Sequence, residues 1–247
     1  MTPLMMLMLL GVMVGTSLLS GIFGMAGGLV LMAVLILALP LPEAMALHAV
    51  TQVASNGWRG ALWWRHIRWR IVAAYVLGCA VAVGLWSLVR FVPGKPLALV
   101  ALGISPFLLH GLPAGLKPDA ESPAQGVAYG LASMSLMLVT GVAGPLLDRF
   151  FLGGALDRRG IVATKAGCQV FGHALKFLYF GGLIENAASL DPWLAIGAVA
   201  ASFAGTFLAK PFLKMLSDAQ FKRWAGRIVT TIAGYTILQG VWLWIWA

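Results

Sequence analysis

Long apolar runs, interrupted by glycine, proline or short charged clusters, divide this chain into ten segments. In the first half they cover about 4–23, 28–40, 43–64, 70–91 and 96–113. In the second half they cover about 124–140, 145–156, 160–182, 192–210 and 219–246. A helix needs about 20 apolar residues to cross a hydrocarbon layer roughly 30 Å thick, and most of these runs come close to that length. The segments 28–40 and 145–156 do not: as helices they reach only about 18 Å at roughly 1.5 Å per residue. The pattern predicts two short helices that begin within the bilayer after a glycine break, packed against protein rather than lipid.

The halves also repeat one another. Gly24-Met25-Ala26-Gly27-Gly28 precedes the first short segment, and Gly141-Val142-Ala143-Gly144-Pro145 precedes the second, 117 positions later. The same offset places Gln52 on Gln169, Asn56 on His173 and Arg59 on Lys176. The expected fold is an all-α polytopic membrane protein built from two inverted-topology repeats of about five helical segments each. Residues 1–113 form the first repeat and 124–247 the second. A cytoplasmic linker at 114–123 lies within the Gly-, Pro- and charge-containing stretch from Gly111 to Gln125.

Charge predicts the inversion. The loop Arg65-His66-Ile67-Arg68-Trp69-Arg70 is strongly basic and belongs on the cytoplasmic side, whereas its second-half counterpart, Glu185 to Asp191, carries two acids and no base. Conversely, the turn at Leu39 to Glu43 has no base, while its counterpart carries Asp157, Arg158 and Arg159. Lys210, Lys214, Lys222, Arg223 and Arg227 put the next second-half loop inside. Equivalent loops thus fall on opposite sides, both termini come out external, and only Arg90 and Lys95 lie outside against the rule.

Composition agrees with a membrane protein: 60% of residues are hydrophobic and 10% charged, with a mean hydropathy of +0.91. A soluble domain of this size could not hide so much apolar surface. The net charge of +9 sits in clusters between apolar segments, which reads as orientation and not as a nucleic-acid footprint. No Lys or Arg precedes Arg59, so the first segment lacks the basic start of a cleaved signal peptide and reads as a retained helix. Cys79 and Cys168 have no metal-ligand spacing. The chain carries no HExxH, GxSxG or paired-acid motif, so neither an enzyme nor a cofactor site is expected.

The chemistry lies on the third segment of each half. His48, Gln52, Ser55/Asn56 and Arg59 recur every three or four residues, on one helical face; Lys165, Cys168/Gln169, Gly172/His173 and Lys176 reproduce it. A Lys or Arg at mid-membrane costs roughly 2.5–3.5 kcal/mol, so such residues persist where they face a bundle interior, a water cavity or a ligand. The helix starts at the glycine breaks offer unpaired N–H groups and partial positive charge, suited to an anionic oxygen, and Pro145 fits a first helical turn. The residues expected to bind an anion are Gln52, Asn56, Gln169 and His173 as donors and Arg59 and Lys176 as cations. Gly27, Gly28 and Gly144 of the two short-helix starts complete the site. His48, Ser55, Lys165, Cys168, Asp148 and Arg149 are secondary candidates, the last acid and base reading first as a charge pair beside a water-filled vestibule.

These residues bear a family resemblance. Ser20 through Gly28, with Thr140-Gly141-Val142-Ala143-Gly144-Pro145-Leu146-Leu147-Asp148, is similar to the paired glycine signatures of the TauE/SafE sulfite exporter family. Ala163 through Gln169, with His173 and Lys176, resembles that family's second-half helix. The similarity covers nearly the whole chain, although Met25-Ala26 stands where more glycine is usual and a proline often found shortly afterwards is missing. The resemblance implies transport of sulfite, organosulfonates or related sulfur oxyanions across the bacterial inner membrane, around a central site between two repeat halves. The expected partners are a small sulfur-containing anion and the lipid bilayer, without nucleic acid, in a possible homo-oligomer. A proton- or sodium-coupled importer of another small anion and a non-transporting membrane assembly protein are the alternatives.

Overall fold

The structure is a computed structural model and describes residues 2–23, 26–107, 118–151, 156–184, 188–215 and 218–246. Within them the chain is all-helical: α1 (Pro3–Phe23), α2 (Ala26–Ala38), α3 (Leu41–Leu62), α4 (Trp69–Val89), α5 (Lys95–Ile104), α6 (Pro123–Thr140), α7 (Gly144–Phe151), α8 (Arg158–Leu178), α9 (Pro192–Met215) and α10 (Asp218–Trp246). Gly24, Met25, Glu185 and residues 114–117 of the linker lie outside the described residues, as do the side chains of Arg158, Lys210, Lys214 and Lys222.

Four stretches are long and apolar enough to cross a membrane: Pro3–Ile22, Trp69–Val89, Pro192–Ala209 and Arg223–Trp246. Helices α3 and α8 have 22 and 21 residues, but their polar faces make them unsuited to lipid, and they pack on each other. The short helices appear where the sequence places them. Helix α2 is apolar on every side because it is enclosed: Leu29, Leu31, Met32, Leu35 and Ile36 are all buried. Helix α6 ends where Gly141 takes a left-handed conformation (φ 83°), and α7 starts three residues later. A side chain at Gly141 would also run into Met32 and Met45, so both backbone and space demand glycine there.

Helix α5 ends at Ile104, because Pro106 has no N–H to continue the ladder and Phe107 N instead closes a turn on Ile104 O at 2.9 Å; residues 108–113 of the fifth apolar run lie outside the described residues. At about 15 Å, ten residues cannot cross alone.

Helix directions follow from who meets whom. In α4 and α6, the Cys79 thiol donates to Gly130 O (3.3 Å) and Trp86 Nε1 donates to Ser135 Oγ (3.0 Å), so the numbers rise together and the helices run parallel. The pair α1 and α9 is parallel too, with Gly197 against Leu10 and Gly205 against Ser17 and Leu18. By contrast, α3 and α8 are antiparallel: Lys176 meets His48, and Gly60 meets Ala166. So are α5 and α10, with Gly103 against Ala233 and Thr236, and Gly240 against Pro96 and Val100. Four pairings thus follow the segment order: α4 with α6 as α9 with α1, while α3 meets α8 and α5 meets α10.

The basic loops also gather. Arg159 lies over the Trp63 ring (5.3 Å), Arg68 N donates to Thr164 Oγ1 (3.0 Å), and Glu121 shares a cavity with Arg68 and Arg70. These groups occupy one end of the bundle. Arg90 sits at the other, beside Phe91, whose carbonyl accepts from Tyr179 Oη at 2.7 Å.

Small residues allow the parallel pairs to approach closely. A Cβ at Gly130 would fall 2.9 Å from the Tyr75 carbonyl carbon, whereas Gly84 on the same pair's α4 has nothing within 4 Å. Gly130→Val should lower the thermal unfolding midpoint in detergent, by an overpacking cost of about 1–3 kcal/mol or more. Gly84→Ala should leave the midpoint unchanged or raise it slightly.

Candidate functional site

At the antiparallel crossing of α3 and α8 the two polar faces meet and enclose a pocket. Its walls are Gly28 of α2, His48, Gln52, Asn56 and Arg59 of α3, Val142, Ala143 and Gly144 at the start of α7, and Lys165, Gln169 and His173 of α8. The cavity between them has a volume of about 30 Å³. One ordered water needs about 10–15 Å³ of such room, so the pocket suits a compact solute.

Local sequence explains why these helices present these faces. Helix α3 starts after Pro40 with Pro42 in its first turn and Glu43 near its positive end. Helix α8 is capped by Asp157, whose carboxylate accepts from Gly160 N at 2.9 Å. The three- to four-residue spacing then aims each polar row at the other helix.

The polar groups of the wall are incompletely satisfied. Asn56 Nδ2 donates to Gln52 O (2.8 Å) and, at 3.5 Å, to Gln52 Oε1. Arg59 Nη2 donates to Ser55 Oγ at 3.4 Å. Asn56 Oδ1, Arg59 Nε and His173 Nδ1 have no partner although buried. Buried polar atoms without partners are uncommon, and here three of them belong to residues lining one pocket. Gln52 lies over Gly28, where a Cβ would come 3.3 Å from its Oε1. The break contributes main chain: Thr140 Oγ1 donates to Val142 O (2.8 Å) and accepts from Val142 N (3.2 Å). The first-turn N–H groups of α7 have no carbonyl one turn earlier in their own helix.

Lys176 occupies a different place from the one its sequence offset suggests. It is fully buried, stands behind the pocket wall, and donates to His48 Nδ1 (3.0 Å) and to Gly141 O (2.9 Å). His48 Nε2 donates in turn to Gly28 O at 2.9 Å. The antiparallel packing is the reason: residue 176 lies opposite 48 rather than beside Arg59, with which the offset of 117 aligns it. The His48 and His173 rings are 5.4 Å apart. Gly27 faces α1, where a Cβ would meet Ser20, and is not in the pocket wall. Cys168 is buried in the apolar core. Asp148 pairs with Lys165 rather than entering the wall, and Arg149 also lies outside it. Of the secondary candidates, His48 and Lys165 line the pocket, while Ser55 supports Arg59.

Val142 and Ala143 were within the signature but not singled out; only the folded break shows that their main chain forms wall. The family model described as sulfite exporter TauE/SafE matches residues 7–236. No curated protein and no solved structure matches the chain.

Removing Lys176 leaves two buried acceptors unsatisfied, each worth about 1–3 kcal/mol, whereas Asn56 already has an unpartnered oxygen. Thermal unfolding in detergent should therefore fall sharply for Lys176→Ala, by at least about 2 kcal/mol, and much less for Asn56→Ala.

Proposed function

The chain belongs to the TauE/SafE family of sulfite exporters, and on that premise we propose that it is a secondary transporter that exports sulfite, an organosulfonate or a related sulfur oxyanion across the bacterial inner membrane. Family membership makes it a multi-pass membrane transporter of the sulfur-anion type. The reading of site and direction goes further, and one observation carries it: two helices equivalent by sequence run antiparallel and turn their polar faces into one pocket.

That arrangement supports two inverted repeats sharing a central site. An anion entering the pocket loses hydration, and N–H donors replace it. Gln52, Gln169, Asn56 and His173 supply side-chain donors, Arg59 and Lys165 supply charge, and the start of α7 adds backbone N–H groups and the positive end of a helix dipole. Rocking of one half against the other about the α3–α8 crossing then exposes the pocket to either side.

Direction follows from the membrane potential. Inside-negative potential contributes roughly 2.3 kcal/mol per charge per 100 mV, enough to sustain an outward gradient of about fiftyfold for a monovalent anion. Export needs no coupling ion. The basic loops gathered at one end of the bundle suit a cytoplasmic face.

Counterflow of labelled sulfite in proteoliposomes tests the reading. Gln52→Ala and Gln169→Ala should each lower flux about tenfold, as expected for a lost hydrogen bond to a charged group, with folding intact. Wild-type flux in both variants would refute the site. A second outcome follows from Lys165, whose ammonium Asp148 holds and an anion must compete for. Asp148→Asn should lower the half-saturation concentration by roughly 1.5–5-fold, the worth of a partly exposed ion pair.

A further inference from the structure

Three hydrogen bonds form an unbroken line through the centre of the molecule. Gly28 O in α2 accepts from His48 Nε2 at 2.9 Å, His48 Nδ1 in α3 meets Lys176 Nζ of α8 at 3.0 Å, and Lys176 donates to Gly141 O at 2.9 Å. The two ends of the line lie at the two glycine breaks: Gly28 in the first turn of α2, Gly141 in the left-handed turn before α7. Both terminal carbonyls belong to backbone that borders or forms the pocket wall, and His48 is itself part of that wall. Lys176 is not.

We propose that Lys176 is a positioning residue that acts through His48, fixing one imidazole tautomer and tying both halves' breaks to the pocket, and that the transported anion never touches it. This deepens the transport reading and rests on it for the flux measurements, but the hydrogen-bond line stands apart from the identity of the solute.

The chemistry of the line leaves little choice. A carbonyl can only accept, so the proton on His48 must sit on Nε2. In the neutral ring Nδ1 is then an acceptor, and an ammonium at 3.0 Å is its donor. His48 thereby spends both nitrogens on the protein and offers the pocket a ring edge, not an N–H. Donation to the anion falls to Gln52, Asn56, Gln169 and His173, whose Nδ1 has no partner. The charge of Lys176 is held by a helix end: Gly141 is the C-terminal cap of α6, where carbonyls point outward and the dipole is negative. The groups facing the line are His173 and Lys176 itself from α8, with the Lys165–Asp148 pair and Arg59 elsewhere in the same pocket region; no carboxylate pairs with Lys176 among the described residues.

Nitrogen-15 NMR of histidine-labelled protein tests this without any substrate. The chain has four histidines, and the His48 signal is the one that survives replacement of His66, His110 and His173 in turn. The wild type should show His48 protonated at Nε2 with a hydrogen-bonded, unprotonated Nδ1. In Lys176→Met the Nδ1 resonance should move to the position of a ring nitrogen without a donor, and Lys176→Arg should restore part of the shift. If the Met variant does not fold, the wild-type spectrum alone decides. A proton on Nδ1 overturns the proposal, as does a spectrum unchanged by Lys176→Met. In sulfite counterflow, Lys176→Met and His48→Leu should each raise the half-saturation concentration by about tenfold, and the double variant should be no worse than the poorer single one. Additive losses would mean that Lys176 meets the anion directly. Absent sulfite flux in the wild type, beside the expected NMR result, would count against the substrate and not against the line.

Discussion

The molecule is organised around a problem of solvation. Two helices carry amides, imidazoles and cations along one face each, and no such face can be left against hydrocarbon without a cost of several kcal/mol. The antiparallel packing of α3 on α8 solves it by turning each face to the other, with the apolar helices α1, α4, α9 and α10 on the outside. The contacts between α4 and α6 and between α1 and α9 follow the same scheme with the halves exchanged. Glycines there bring backbones close enough for packing to replace the hydrophobic driving force that lipid cannot supply.

Meeting face to face satisfies the polar rows only in part. Lys176 and His48 find complete partners in each other and in two backbone carbonyls. Asn56, Arg59 and His173 do not, and their spare atoms surround a small volume beside the start of α7. Arg59 Nε and His173 Nδ1, left without partners beside a compact pocket, suit a solute that exchanges water for protein.

The sequence made the elements and the chemistry legible because polar residues in apolar runs are rare and a repeated offset is hard to produce by packing alone. Ten segments, the two short helices and the Gly141 break follow from periodicity and glycine placement. Gln52, Asn56, Arg59, Gln169 and His173 do come together. Pairing across the interface was not legible. An offset of 117 aligns Lys176 with Arg59 as copies, but antiparallel helices place copies at opposite ends of the contact, so Lys176 faces His48 instead. Gly27 and Cys168 lie outside the pocket wall for a related reason: spacing gives the face of a helix only to within a residue, and one step turns a side chain by about 100° away from the pocket. The end of α5 was hidden because hydrophobicity continues past Pro106 while the backbone ladder does not.

The central claim is that an oxyanion sits between the polar faces of α3 and α8. A crystal structure grown with selenite, the heavier analogue of sulfite, would locate it through selenium's anomalous scattering. The account predicts one anomalous peak enclosed by Gln52, Gln169, His173 and the backbone at Gly144, with Lys176 still bonded to His48 behind it. A peak elsewhere in the bundle, or a pocket empty of selenium at saturating selenite, would contradict it.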